Sequence, residues 1–158
     1  MIFIDKETKQ DPVARWNLPD KTFFAAGACQ VLAYAFIERF SRFGFRAVWI
    51  RPAEGFRGNH IVSSNGMYVF DYQGIERYAD YFASLHSEMS ERARNDGSFE
   101  GWSYELLEFP VECLVSEKKS KALGLWLRQP DQFLHDAIPR ARRFVDEYED
   151  QVLALVQP

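Results

Sequence analysis

The segment NHIVSSNGMYVFDYQG, residues 59–74, predicts a β-hairpin that brings an imidazole beside a carboxylate. Asn65-Gly66 lies between two runs of alternating apolar residues, which is the strongest short-range signal for a hairpin with a two-residue type I′ turn. In that register His60 lies directly opposite Asp71. Opposed residues share a face with Cβ atoms about 4.5–5.5 Å apart, so we expect the imidazole to reach the carboxylate. Such a pair can orient a general base, but it needs a nucleophile from elsewhere in the chain.

Upstream of the hairpin, the sequence predicts one buried helix and one strand. Residues 1–20 contain Pro12 and Pro19 as breakers and are expected to be irregular. The segment 23–44 is mostly apolar until it ends at a glycine, which is typical of a central, buried helix. Aromatic and β-branched residues at 45–51 then predict a strand that precedes the hairpin.

Downstream of the hairpin, the pattern predicts helix, strand and helix. Apolar residues recur at helical spacing from Ile75 to Met89 and predict a helix that ends within 95–98. Residues 99–115 are expected to form one or two strands, broken near a proline, and a last helix is expected to start near Pro139. This order predicts an α+β fold in which a central helix packs on a mostly antiparallel sheet.

The length and composition of the chain favour a single domain spanning residues 1–158. A chain of 158 residues with 47% hydrophobic and 16% aromatic content can bury a core of its own. Cys29 and Cys113 lie too far apart for metal-ligand spacing or a disulfide framework, so we expect free thiols, no bound metal and a cytoplasmic setting. The amino terminus lacks the pattern of a signal peptide, and the apolar run 23–37 is shorter than the ~20 residues of a membrane span.

The charge of the chain argues against nucleic acid as a partner. The formal net charge is -4 and the sequence pI is about 5.4, whereas nonspecific nucleic-acid binding relies on a basic surface. Basic clusters at 117–121 and 140–143 are flanked by acidic residues and lack interleaved aromatic side chains, which is typical of solvated faces. We therefore expect no nucleic-acid partner, no membrane partner and no cofactor, and the oligomeric state is left open.

The nucleophile that the hairpin needs is predicted at Cys29. The segment AAGACQVLA, residues 25–33, passes from small residues into the buried helix, so Cys29 is expected in the first helical turn. Unpaired N–H groups and the positive end of the helix dipole favour a thiolate there, and a nearby imidazolium lowers the pKa further. We therefore predict a catalytic triad in which Cys29 attacks an acyl carbon, His60 transfers the proton and Asp71 orients His60.

Three motifs follow one another between residues 22 and 74. They are Gly27-Ala28-Cys29, the segment GFRAVWI at 44–50, and His60 followed by Asp71 on the next strand. In this order they resemble the core of the transglutaminase-like and papain-like cysteine enzymes, in which Gly-x-Cys opens a central helix. The resemblance implies a papain-like core and a cysteine-dependent amidase, peptidase, deamidase or acyltransferase. Phe23 stands where papain-type enzymes carry an oxyanion-binding glutamine, so backbone N–H groups at Cys29 would take that role.

The residues predicted to bind substrate surround the triad. Gly27 and Gln30 flank Cys29, and Arg57 lies in a glycine-flanked loop just before His60. We expect a peptide, a protein or a small acyl compound as substrate. The sequence leaves hydrolysis, deamidation and transfer to an amine as alternatives.

The same residues also allow plainer interpretations. Free cysteine is often a small core residue, and we assign that role to Cys113. His60 and Asp71 would also suit an ordinary cross-strand ion pair, while a zinc site would need closely spaced ligand pairs that the chain lacks. A catalytically inactive papain-like fold acting as a protein-binding or regulatory module is the main alternative. An interaction protein that docks a partner through aromatic residues is a further one.

Overall fold

The computed structural model describes residues 1–157 and shows an α+β fold built on a five-stranded antiparallel sheet. Its strand order is β4-β3-β2-β1-β5, and every neighbouring pair is antiparallel. The predicted fold class and the mostly antiparallel sheet are therefore confirmed. The strands are β1 (Arg46–Pro52), β2 (His60–Ser64), β3 (Tyr68–Asp71), β4 (Gly74–Arg77) and β5 (Tyr104–Phe109).

The helices flank the sheet and also fill the amino-terminal segment. They are α1 (Lys6–Gln10), α2 (Pro12–Trp16), α3 (Asp20–Ala25), α4 (Cys29–Phe40), α5 (Tyr78–Asp96), α6 (Glu117–Ala122), α7 (Ile138–Glu147) and α8 (Glu149–Val156). Within residues 1–157, no helix has the length and apolar character needed to cross a membrane.

The expectation of an irregular amino terminus is wrong. The side chains of Asp5 and Asp11 accept backbone N–H groups of the following turn and so cap α1 and α2. Pro12, which was expected to break structure, occupies the first helical position of α2, where its missing N–H costs nothing. The segment that was expected to be irregular therefore contains the starts of two short helices, α1 and α2.

Helices cover both faces of the sheet. On one face, α4 packs against β1, β2 and β3, with Phe36 of α4 stacked on Phe70 of β3 at a ring-centroid distance of 4.0 Å. Helix α7 packs on α4. On the other face, Leu85 and Met89 of α5 share a buried cluster with Val62 of β2. The central helix therefore approaches the sheet from the side opposite α5.

The hairpin forms, but its register differs from the predicted one by two residues. Ser64 lies opposite Val69 and Ser63 lies opposite Phe70. The connection between β2 and β3 is the three-residue segment 65–67, and the predicted two-residue type I′ turn, with His60 directly opposite Asp71, is wrong. A shift of two residues keeps every side chain on its predicted face of the sheet, whereas a shift of one would have reversed them all.

The side chain of Asn65 explains the longer connection. Its Oδ1 accepts the backbone N–H groups of Met67 at 3.0 Å and Tyr68 at 2.9 Å, which closes a turn around the asparagine itself. Because the parity of the register is kept, His60 and Asp71 become diagonal neighbours on one face and still contact each other.

A second short turn creates a strand where the helical spacing predicted a helix. The N–H of Gln73 donates to Oδ1 of Asp71 at 2.8 Å, and Gly74 has a φ of 108°, so the chain reverses and β4 pairs with β3. Ile75 therefore lies in a strand, and α5 begins only at Tyr78. Further along, the segment 99–115 contributes the single strand β5, and the last predicted helix is divided into α7 and α8.

Candidate active site

Cys29 is the first residue of the central helix α4, as the sequence predicts. The long helical segment is interrupted at residues 26–28, where Gly27 has a φ of 107°. A Cβ atom at Gly27 would overlap Nη2 of Arg15, so glycine satisfies both the backbone conformation and the close approach of the guanidinium. This interruption starts α4 at the cysteine and leaves its backbone N–H in the first turn, where helices have no internal partner for it.

The sulfur of Cys29 lies among hydrogen-bonding groups. The backbone N–H of Ile61 donates to Sγ at 3.5 Å. His60 and the N–H of Gln30 also act on the sulfur and lower the pKa of the thiol. When protonated, the thiol can donate to Oε1 of Gln30 at 3.7 Å. The residue is 8% exposed, so few water molecules compete with these groups.

His60 and Asp71 form a buried pair beside this sulfur. Nε2 of His60 lies 3.1 Å from Oδ2 of Asp71, and the two residues are 4% and 3% exposed. Because Nε2 is occupied by the carboxylate, Nδ1 is the ring nitrogen left for Cys29. The structure thus brings together the three residues that the sequence singled out, from the start of α4, the start of β2 and the end of β3.

Tyr81 of α5 completes this network and was not foreseen. Its hydroxyl donates to Oδ2 of Asp71 at 2.8 Å, while Oδ1 of Asp71 accepts the N–H of Gln73. Burial, followed by the charge of Asp71, raises the pKa of Tyr81 well above its ordinary value, so the hydroxyl stays a neutral donor. The sequence showed Tyr81 only as a neighbour of an apolar helix face, which carries no signal for a contact with the hairpin.

The electrostatics of the site favour a charged cysteine and histidine. Burial alone would raise the pKa of Cys29, but hydrogen bonding and the charge of His60, with the N–H groups of Ile61 and Gln30, outweigh it and lower that pKa. Burial alone would lower the pKa of His60, but Asp71 and Cys29 outweigh it and raise the pKa to about 10. A thiolate and an imidazolium therefore stabilise each other near neutral pH.

Two cavities meet at the triad. The first, with a volume of about 440 Å³, is bordered by Cys29, and we call it the cationic cavity because Lys6, Lys9, Arg15 and Arg128 also line it. The second, of about 320 Å³, is bordered by His60 and by residues 1–4, and we call it the amino-terminal cavity. Lys9, Gly27 and Asn59 line both.

The residues predicted to bind substrate lie along these cavities. Gly27 borders both, Gln30 borders the cationic cavity, and the exposed Arg57 borders the amino-terminal cavity, where its guanidinium lies over the ring of Phe3. Nε2 of Gln30 donates to the carbonyl oxygens of Gly27 at 3.2 Å and Arg128 at 2.9 Å. Gln30 therefore also ties the segment around Arg128 to the start of α4, and a substrate role for the three residues stays a prediction.

Asn59 is a polar residue of the cavity walls that the sequence analysis missed. Its Oδ1 accepts the indole N–H of Trp49 at 2.9 Å, which leaves Nδ2 as the free end of the amide. Asn59 immediately precedes His60, so it lies at the junction of the two cavities. Within residues 1–157, no group of three or more His, Cys, Asp or Glu side chains is arranged to hold a metal ion.

Comparisons with known proteins add no relative to this description. The chain matches no protein-family model, and searches of curated proteins and of solved structures found no significant match. The interpretation of the site consequently depends on its own residues and geometry.

Proposed function

We propose that this protein is a cysteine-dependent acyl-transfer enzyme with a papain-like or transglutaminase-like core. The observation that carries the proposal is the buried cluster of Cys29, His60 and Asp71, in which His60 hydrogen-bonds to Asp71, the pKa of the thiol is lowered and that of the imidazole is raised. A thiolate held beside an imidazolium is the resting state that cysteine nucleophiles use.

The arrangement of the fold supports the same proposal. The cysteine opens a buried helix that packs against an antiparallel sheet, and the histidine and aspartate come from adjacent strands of that sheet. These are the relations that the resemblance of residues 22–74 implies. The resemblance is limited to this core, and α5, β5, α6, α7 and α8 lie outside it.

In the first half of the reaction, the thiolate of Cys29 attacks the carbonyl carbon of an amide or ester. The bond between that carbon and the leaving nitrogen or oxygen breaks, and the His60 imidazolium gives its proton to the leaving group. The acyl group is then held as a thioester on Cys29. Nδ2 of Asn59 and the backbone N–H of Cys29 are the donors available to the developing oxyanion.

In the second half, water or an amine attacks the thioester carbon. The neutral imidazole of His60 takes the proton of the attacking group, the carbon–sulfur bond breaks and the thiolate returns. Water as acceptor makes the enzyme an amidase, peptidase or deamidase, and an amine makes it a transferase. Asp71, held by Tyr81, keeps the imidazole in one orientation through both halves.

The alternative hypothesis, a catalytically inactive binding module, predicts a different site. It expects Cys29 to be covered on all sides, or Asp71 to be turned away from His60. Cys29 instead borders the cationic cavity, and Oδ2 of Asp71 lies within hydrogen-bonding distance of His60. These two contacts favour the enzyme.

An activated ester tests the proposal without knowledge of the natural substrate. p-Nitrophenyl acetate should release a burst of one equivalent of nitrophenolate per protein molecule and leave an acetyl group on Cys29. Mass spectrometry of peptides would detect that acetyl group. Cys29→Ala should abolish the burst, and Cys113→Ala, the matched control, should retain it. Acetylation of Cys113 or of lysines alone, with no burst dependent on Cys29, would contradict the proposal.

A further inference from the structure

The cationic cavity beside Cys29 contains positive charge without a matching negative charge. Lys6, Lys9, Arg15 and Arg128 line it, and no aspartate or glutamate does. In the part of the chain that the structure describes, none of the four side chains forms a salt bridge. No carboxylate therefore compensates this positive charge, although the guanidinium groups of Arg15 and Arg128 both lie over the ring of Phe133.

A shortage of acidic residues does not explain this arrangement. The chain has 23 acidic against 19 basic residues. Six of the eleven arginines elsewhere in the molecule pair with carboxylates, namely Arg39, Arg46, Arg51, Arg92, Arg140 and Arg142. The cationic cavity therefore gathers four cationic side chains with no carboxylate among its lining residues.

Arg15 is the most informative of the four because it is buried. It is 6% exposed, its Nη2 donates to the carbonyl oxygen of Ala26 at 2.9 Å, and its Nε has no hydrogen-bond partner within residues 1–157. Burial, and secondly the charge of Arg128, lower the pKa of Arg15 to about 10. A buried cation without an anion destabilises a protein, and an anion that enters the cavity would offset that cost.

Arg128 supplies a second guanidinium and a fixed link to the thiol. Its Nε is also buried without a hydrogen-bond partner in the described chain, and its carbonyl oxygen accepts Nε2 of Gln30 at 2.9 Å. Gln30 follows Cys29 directly, so this hydrogen bond holds the backbone at Arg128 beside the start of α4. Planar guanidinium groups bind carboxylate and phosphate oxygens through paired hydrogen bonds.

We propose that the cationic cavity binds an anionic group, a carboxylate or a phosphate, of the acyl donor that Cys29 attacks. This inference rests on the proposed function, since it assigns the substrate class of the same site. Ile61, Leu125, Trp126 and Leu127 also line the cavity, so the donor carries an apolar portion between its reacting carbonyl and its anionic end.

Alkylation by a charged and a neutral reagent tests the inference. In both reactions the thiolate attacks the methylene carbon and iodide leaves, but iodoacetate carries a carboxylate and iodoacetamide does not. In a Cys113→Ala background, the iodoacetate-to-iodoacetamide rate ratio of the folded protein should exceed that of the urea-unfolded protein about tenfold. The charge of His60 also contributes to this ratio, so the decisive test is the effect of the arginines. The ratio should fall severalfold in Arg128→Gln and in Arg15→Gln, and it should stay unchanged in Arg142→Gln.

A second measurement keeps the inference testable if Arg15→Gln does not fold or if the thiol reacts slowly. At constant ionic strength, glutarate or inorganic phosphate should raise the Tm of the unlabelled protein, and Arg128→Gln should abolish that rise. The more effective of the two anions identifies a carboxylate or a phosphate donor. An unchanged Tm with both anions, together with a rate ratio that does not depend on Arg128, would overturn the inference.

The two proposals fail in different ways. Rapid alkylation by iodoacetamide at about pH 6 with no preference for iodoacetate would leave the activated thiol in place and remove the anionic donor. Slow alkylation by both reagents, with a rise of Tm in phosphate or glutarate that depends on Arg128, would leave an anion site and remove the enzyme.

Discussion

The two cysteines of this chain are equally hidden from solvent but lie in opposite electrostatic surroundings. Cys29 is 8% exposed and Cys113 is 6% exposed, and both are free thiols. Burial and the charge of Glu112 raise the pKa of Cys113, whereas His60 and two backbone N–H groups lower that of Cys29 against the effect of its burial. The difference shows that neighbouring donors and charges, rather than exposure, separate a candidate nucleophile from a core residue.

The two positions in the fold account for these surroundings. Cys29 begins a helix of 12 residues next to the hairpin, so its thiol lies at the amino-terminal end of the helix dipole. It also lies beside β2 and β3, which carry His60 and Asp71. Cys113 ends a single 3₁₀ turn after Pro110 and packs in the apolar core beside Leu114. A short turn has no comparable dipole, and an apolar core offers the sulfur no donor.

The largest expected difference is in alkylation of the two thiols. At about pH 6, iodoacetamide should modify Cys29 about 10²-fold faster than Cys113, because a raised pKa leaves little thiolate at Cys113. Peptide mass spectrometry after timed quenching gives both rates in one sample. Unfolding in urea is the control, since it should make the two rates equal; a folded protein with equal rates would contradict the thiolate at Cys29.

The pH dependence of stability should reveal the charged pair. In a Cys113→Ala background, between about pH 6.5 and 8.5, folded His60 keeps a proton that its unfolded form loses, and folded Cys29, whose pKa is lowered, binds its proton less than the unfolded form does. The two differences oppose each other, so the pair adds little slope to the dependence of stability on pH. Above about pH 8.5 unfolded Cys29 also deprotonates, and stability should fall by about 1.4 kcal/mol per pH unit. This fall should continue until the pH reaches the His60 pKa of about 10, at a total cost of about 2 kcal/mol.

Cys29→Ala in the same background separates the two members of the pair. Without the thiol, no proton difference at residue 29 opposes that of His60, while Asp71 still raises the pKa of His60. The free energy of unfolding should therefore begin to fall at about pH 6.5. Urea unfolding at a series of pH values gives both curves, and subtracting them removes the other ionisable groups. Parallel curves between about pH 6.5 and 8.5 would show that no charged pair exists.

Removal of the imidazole should make Cys29 resemble an ordinary thiol. In His60→Gln, alkylation of Cys29 by iodoacetamide at about pH 6 should slow about tenfold, because the gain in thiolate that His60 provides is partly offset by lower nucleophilicity. The midpoint of the rate profile should move up to about pH 8.5. His86→Gln is the matched control, as His86 is exposed and contacts Tyr104. An unchanged profile would assign the activation of Cys29 to the helix alone.

The sequence predicted the core of this site because its signals are local. A helix start, a hairpin turn and the period of two along strands place Cys29, His60 and Asp71 in neighbouring elements. The prediction tolerated a register error of two residues because that shift preserves the face of each side chain. The error itself arose from hydrogen bonds of the Asn65 side chain, which a turn motif of two residues does not encode.

The cationic wall could not be predicted because its members come from distant parts of the chain. Lys6, Lys9 and Arg15 belong to a segment with no apolar periodicity, and Arg128 lies in the segment after α6. Gln30 holds the backbone at Arg128 beside α4, and Arg15 lies against Gly27, and neither of these contacts has a local sequence signal. Tyr81 was missed for the same reason, since α5 reaches Asp71 only after the sheet has formed.

Replacement of the carboxylate should have a smaller effect than loss of the imidazole. Asp71→Asn keeps the size of the side chain but removes the charge that raises the pKa of His60, so the imidazolium loses its main support. We expect alkylation of Cys29 by iodoacetamide at about pH 6 to slow about fivefold, with that of Cys113 unchanged. Glu108→Gln, at the exposed pair with Arg46, controls for loss of a negative charge on the sheet. Equal rates in Asp71→Asn and the parent would remove Asp71 from the triad.

The smallest expected effect comes from a comparison of two tyrosine hydroxyls, that of Tyr81, which contacts Asp71, and that of Tyr104, which contacts His86. Tyr81→Phe removes the 2.8 Å hydrogen bond to the buried Oδ2 of Asp71 and should lower the free energy of unfolding by about 1–2 kcal/mol. Tyr104→Phe removes a 3.1 Å contact with the exposed His86 and should cost less than about 0.5 kcal/mol. Because Asp71 retains its charge, Tyr81→Phe should shift the alkylation profile of Cys29 only slightly and leave Cys113 unaffected. Urea unfolding gives the two free energies, and equal costs for Tyr81→Phe and Tyr104→Phe would mean that Asp71 does not depend on the tyrosine.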